Sequence, residues 1–258
     1  MNRTGLLWLI LACAVGVLLW QRDPLNLREA DEGATTADII VTGGRTDSLA
    51  VDESLQRSIE IQLIESQLLG RDDLVRAKLQ RLDVINPDAQ SAYVYRVWLA
   101  VRDGNVEDAE RILSELKARF GETQTFLQLT DYLALHSYKK SAMQQVTLLS
   151  KTGRVKEAAQ QLIQLYPRGF VLLSSELEYL QILARVDGKR PVVIRRLRAL
   201  NDQYPNVAPL RLALADQLLS QNPGSQAGQR ILRDLLDDPS LAQQAVQRWL
   251  AALAEQPI

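Results

Sequence analysis

Four glycines and one asparagine, Gly70, Gly104, Gly153, Gly188 and Asn222, each end an apolar-periodic stretch and stand 34, 49, 35 and 34 residues apart. A repeat of this length constrains the fold strongly, because one short unit cannot bury its own apolar face and must stack on its neighbours. The units agree internally as well as in length. Five residues beyond each start stand Val75, Ala109, Ala158, Val193 and Ala227, small enough for two helices to cross closely. Nine beyond come Leu79, Leu113, Leu162, Leu197 and Ile231, and twelve beyond come Leu82, Leu116, Leu165 and Leu200, with Asp234 breaking the series. Seventeen beyond stand Pro87, Gly121, Phe170, Pro205 and Pro239, and the third unit's own Pro167 stops its helix three residues early. Gly or Asn suits the left-handed residue just past a helix, and Pro or Gly ends the next one. Each unit therefore reads as a helical hairpin.

From about Val51 the apolar residues recur at three and four, as in Leu55, Ile59 and Leu63, and no alternating strand pattern competes. The expected fold is all-α: a tetratricopeptide-like α-solenoid of about five hairpins over residues 51–258. The first helices are less regular, since the place where such repeats want a small residue carries Leu63, Val97, Val146, Gln181 and Ala215. The long interval equals one period plus fifteen residues, so "ETQTFLQLTDYLALHSYKK" adds or lengthens a helix between the second and third units. The tail Ser240 to Gln256 is amphipathic and caps the last hairpin, with Trp249 on its buried face.

The amino terminus differs in kind. Gly5 to Trp20 is a run of sixteen uncharged residues. As a helix it would be roughly 24 Å long against a hydrocarbon core of about 30 Å, with Arg3, Trp8 and Trp20 able to reach the interfaces. Residues 1–22 read as an uncleaved membrane anchor, because no small-residue cleavage pattern follows the apolar run; a signal sequence and a lipoprotein-type cleavage at Cys13 are the rival readings. Basic residues on the two flanks leave the orientation open. Residues 23–50 carry Pro, Gly, Thr and Asp throughout and read as a flexible linker, with one short extended piece at "DIIVT"; Gly43-Gly44 is a turn, since no Lys-Ser or Lys-Thr follows to make a phosphate loop.

With 31 acidic residues against 30 basic ones there is no global charge to draw the chain onto nucleic acid. One cysteine and one histidine exclude a disulfide framework within the chain and histidine-cluster metal sites. None of the hydrolase, zincin, Walker or dinucleotide motifs occurs, so no catalytic, cofactor-binding or metal-ligating residue is expected. The remaining candidates have ordinary readings. His136 in "LALHSY" is a histidine packed beside the insert, and an enzyme with its site around His136 or Tyr132 is the rival. The pairs in Arg71 to Asp73 and Glu107 to Glu110 fall in the first turn of second helices, where carboxylates favour the positive end of the dipole. Lys189, Arg190, Arg195, Arg196 and Arg198 fan over the solvent side of a helix whose other face is Val193, Leu197 and Leu200.

"GRDDLVRAKLQRLDVINPDAQSA", "RDGNVEDAERILSEL", "SKTGRVKEAAQQLIQLYP" and "NVAPLRLALADQLLS", in this order and spacing, resemble the amino-terminal tetratricopeptide region of the bacterial cellulose synthase operon protein C family, over roughly Leu55 to Asp238. The resemblance implies a periplasmic solenoid linking an inner-membrane synthase, and peptidoglycan or accessory factors, to an outer-membrane β-barrel through which glucan leaves. This chain departs from the pattern in its apparent anchor and in ending before any barrel. What carries over is a non-catalytic scaffold of the bacterial cell envelope in exopolysaccharide (cellulose) synthesis and export, inner-membrane and single-pass, with its carboxyl-terminal domain in the periplasm. Protein partners would lie in the groove lined by the first helices, the membrane would be met through residues 5–20, and no cofactor or nucleic acid is implied. An assembly factor for cytochrome maturation, secretion or pili is the alternative.

Overall fold

The computed structural model describes residues 45–254, with side chains from Glu53 onward. The anchor 1–22, the "DIIVT" segment and Gly43-Gly44 lie outside them. The first helix, α1 (Arg45–Leu68), starts inside the segment 23–50 read as a linker. It is followed by α2 (Asp72–Ile85), α3 (Gln90–Arg102), α4 (Val106–Phe120), α5 (Gln124–Ser137), α6 (Lys140–Lys151) and α7 (Val155–Leu165). Then come α8 (Leu173–Leu183), α9 (Arg190–Gln203), α10 (Ala208–Gln221), α11 (Gln226–Asp234), a 3₁₀ turn Leu235–Asp237 and α12 (Ala242–Ala254). The described residues are all-helical, with no strand.

The pairs α1–α2, α3–α4, α6–α7 and α10–α11 pack as close hairpins, as the repeat requires; in the fourth unit α8 and α9 touch only slightly, α8 packing chiefly on α7 and α9 on α10. At the turns of the units Gly70, Gly104, Gly153 and Gly188 hold φ of +69°, +76°, +85° and +70°, the region that a side chain disfavours. Two residues beyond each of these glycines the second helix begins. Val75, Ala109, Ala158 and Val193 are fully buried at the crossings, and Leu82, Leu116 and Leu200 fill the core beneath them. The long interval is a whole added helix, α5, entered through Thr123, whose Oγ1 accepts from Phe126 N at 3.3 Å. It packs on both α3 and α4. Pro167 ends α7 at Leu165, which is half-buried; Tyr166, 2% exposed, takes the core place beside it.

The fifth unit departs from the sequence register. Asn222 is extended (φ −149°, ψ 104°), not left-handed. Pro223 is the cause, because a residue before proline is pushed to the extended region. Asn222 Oδ1 instead accepts from Gly224 N at 3.0 Å, closing an Asx turn, and Ser225 Oγ caps α11 by accepting from Gly228 N at 3.3 Å. Among the described residues the non-glycine residue with positive φ is Asn206, at 69° in the turn before α10. The second helix starts four residues past Asn222, and its buried face moves on by one residue. Ala227 is exposed, and Gly228, Leu232 and Leu235 take the places expected of Ala227, Ile231 and Asp234. Asp234 is thus no break in the pattern: counted from Pro223, the apolar series is intact.

Gln181 is exposed and takes no part in a close crossing. α8 stops at Leu183 and its connection runs from Ala184 to Lys189; the buried residues of the helix are Ser175, Leu177, Leu180 and Ile182. At the far end α12 packs on α10 and α11 and closes the last core with Leu241, Ala245 and Ala252. Trp249 lies half-buried against that core under Arg233, 5.7 Å from its ring centroid.

Candidate functional site

The first helices of a solenoid line its inner groove, and here that groove is crossed by one of them. α1 buries Ile59 and Leu63 against its own half of the molecule. A second face, Ile61, Ile64 and Leu68, packs on Leu177, Leu180, Leu210 and Leu214 of α8 and α10. Polar contacts reinforce this closure. Gln67, 7% exposed, donates from Nε2 to Ser174 Oγ at 2.8 Å. Glu65 Oε1 accepts from Ala208 N at 3.2 Å, serving as the cap that the first turn of α10 lacks locally. Arg57 Nη2 donates to Gln203 O at 3.2 Å, at the end of α9, and its guanidinium sits 5.8 Å from the Tyr204 ring centroid. The groove expected to hold a protein partner is therefore partly filled by the chain's own first helix. Sequence periodicity singled out Leu55, Ile59 and Leu63 and passed over the second face. The available signal was that apolar residues surround α1 instead of marking one stripe, which means burial on two sides.

Where α1 meets α3 and Tyr204 a cavity of about 180 Å³ remains. Ile61, Ile64, Val94 and Val171 form its apolar walls, and Arg57, Glu60, Ser91, Tyr95 and Tyr204 its polar groups. Glu60 Oε1 accepts from Gln56 Nε2 at 2.9 Å and from Ser91 Oγ at 2.7 Å. Burial, reinforced by Tyr204 and Glu60 nearby, pushes the Tyr95 hydroxyl above the usual phenol range. None of these residues was singled out from the sequence, because they come from three separate units and no local pattern joins them.

The residues singled out from the sequence lie in packing, helix-end and ion-pair contacts. His136 stacks on Tyr132, centroids 4.3 Å apart, and its Nε2 lies 3.2 Å from Tyr166 Oη. Burial, with Lys140 adding to it, holds the imidazole below its ordinary range. Asp72, Asp73, Glu107 and Asp108 stand in the first turns of α2 and α4. In the basic stretch Arg196 pairs with Glu176 at 2.6 Å and Arg190 donates to Ser220 O at 2.7 Å, while Lys189, Arg195 and Arg198 are exposed. Among the described residues no group of three or more His, Cys, Asp or Glu could hold a metal ion, and no helix is long and apolar enough to cross a membrane.

Comparison with known proteins agrees with this architecture. No protein-family model matches the chain. It is 25% identical over 210 residues to cellulose synthase operon protein C of Salmonella typhimurium, covering 78% of this chain and 17% of that protein. Against the protein of the same name from Escherichia coli K12 it is 24% identical over 206 residues, covering 76% and 17%. The chain thus spans about a sixth of the length of these relatives. Among solved structures it matches the crystal structure of the flexible tandem repeat domain of a bacterial cellulose synthase subunit, with a TM-score of 0.55 and 25% identity over 78% of this chain and 83% of that one. The chain is homologous to that repeat region.

Proposed function

We propose that this chain, a homologue of the repeat region of cellulose synthase operon protein C, is a non-catalytic scaffold in a cellulose synthesis and export system of the bacterial envelope. The observation that carries this reading is the joint match in sequence and fold over 78% of the chain to the repeat domain of a protein of cellulose synthesis. Residues 5–20 serve as a single-pass inner-membrane anchor and the helical domain stands in the periplasm, where it holds proteins of the synthesis and export machinery. The ordinary structural roles of His136, Tyr132 and the paired carboxylates support a scaffold over an enzyme. Stacked hairpins suit this task because each adds surface without a new core, and the partner's helix or extended segment can lie along several units. The groove closed by α1 leaves two routes to a partner: the outer faces of the hairpins, or displacement of the contacts between α1 and the α8–α10 region.

The test is a pull-down of the full chain from detergent-solubilised envelopes of its own organism. Recovery of a synthase or export component is the expected result, and its absence would count decisively against the cellulose assignment. A reporter fused after Ile258 should be active on the periplasmic side; a cytoplasmic signal would overturn the proposed orientation.

A further inference from the structure

We propose that the cavity between α1, α3 and Tyr204 binds one glucopyranose unit of a β-1,4-linked glucan. The choice of this glucan among sugars rests on the cellulose-related reading above; the need for a pyranose comes from the cavity. At about 180 Å³ it admits a single six-membered ring and excludes a helix, which is about 10 Å across. Its walls match the two kinds of surface that such a ring presents. In a β-1,4 glucan the hydroxyls are equatorial and lie round the rim of each ring, leaving the two faces to axial C–H groups. Ile61, Ile64, Val94 and Val171 offer apolar contact to the faces, and Tyr95 and Tyr204 add aromatic surface.

The polar groups have capacity to spare. Glu60 uses Oε1 for both of its bonds, and its Oε2 has no partner among the described residues. The Tyr95 hydroxyl has no partner among the described residues either; although the residue as a whole is only 8% exposed, its oxygen stays accessible from the cavity. Arg57 spends Nη2 on Gln203 O and keeps other donors at the exposed mouth. A carboxylate, a guanidinium and a phenol round an apolar slot can donate to and accept from neighbouring hydroxyls of one sugar.

The experiment titrates cellotetraose into the full chain, in a detergent without a sugar headgroup, by calorimetry and by saturation-transfer NMR, with maltotetraose as the linkage control. Saturable binding of cellotetraose, weakened about tenfold by Tyr95→Phe and again by Glu60→Gln, is expected. Circular dichroism confirms that both variants keep their helical content. Absence of cellotetraose binding, equal binding of maltotetraose, or binding unchanged in both variants overturns the proposal. A chain that recovers synthase components but binds no cellotetraose keeps the scaffold reading and loses this one. A chain that binds cellotetraose but recovers no such component does the reverse.

Discussion

Placing leucine at either of two neighbouring positions in α11 tests whether the fifth hairpin runs one residue later than its sequence repeat. A Cβ built on Gly228 would lie 2.8 Å from Leu219 Cγ, 3.1 Å from Leu219 Cδ2 and 3.4 Å from Ala215 O. Leu219 is 5% exposed and Ala215 fully buried, so neither α10 neighbour has solvent to move into. Gly228→Leu adds that Cβ and three more carbons at the point of closest approach and should cost at least about 3 kcal/mol, at the upper end of overpacking effects. Ala227→Leu puts the same side chain on the exposed side of the same turn, and should stay within about 0.5 kcal/mol of the parent. Gly228→Ala is the finer arm: helix propensity favours alanine by about 1 kcal/mol, while the short contacts to Leu219 oppose it by about 1–3 kcal/mol, so the variant gains nothing or loses up to about 2 kcal/mol. Urea unfolding followed by circular dichroism at 222 nm reads all three through the midpoint, with the slope checking that the transition stays comparable. Were the sequence register correct, the order would reverse: Ala227→Leu would be the damaging change and Gly228→Ala would stabilise by about 1 kcal/mol. Two leucine variants of equal stability would also refute the argument.

Breaking the contacts of α1 with the carboxyl-terminal hairpins should loosen α1 selectively. Gln67→Ala combined with Glu65→Ala removes one bond to Ser174 and one to Ala208 N, about 1 kcal/mol each. Amide exchange should accelerate along α1 and at the start of α10 but not in α6–α7, and unchanged protection of α1 would contradict the closure. His136, the chain's one histidine, supplies a pH signature. Its folded-state value is held below its ordinary 6.5, so the unfolded chain binds the proton more readily. Stability is fully present above about pH 6.5 and declines as pH falls from there through the lower folded value. His136→Phe should flatten that part of the profile, and a slope unchanged in the variant would show that another group is responsible.

The hairpins themselves were legible because their causes are local. A glycine at each turn, a small residue five positions on and leucines at nine and twelve put an apolar face on each second helix, and the added helix α5 showed as a long interval. The fifth register was hidden by one residue: Asn222 imitates the turn glycines in type, but Pro223 forbids the conformation they adopt, and the displaced pattern looked like a failure at Asp234. Gln181 was misplaced for a related reason, since the early end of α8 at Leu183 depends on the longer connection that follows.

What the chain determined on its own was every element whose stability comes from a hairpin and its nearest neighbours, for there the burial pattern repeats within about one period and can be read from spacing. Tertiary structure alone decided that α1 reaches across to α8 and α10. That contact joins residues more than a hundred positions apart, such as Gln67 and Ser174, and depends on the accumulated turn of successive hairpins, which no single unit encodes. The meeting of Glu60, Tyr95 and Tyr204 round one cavity follows from the same closure, and so no local motif announces it.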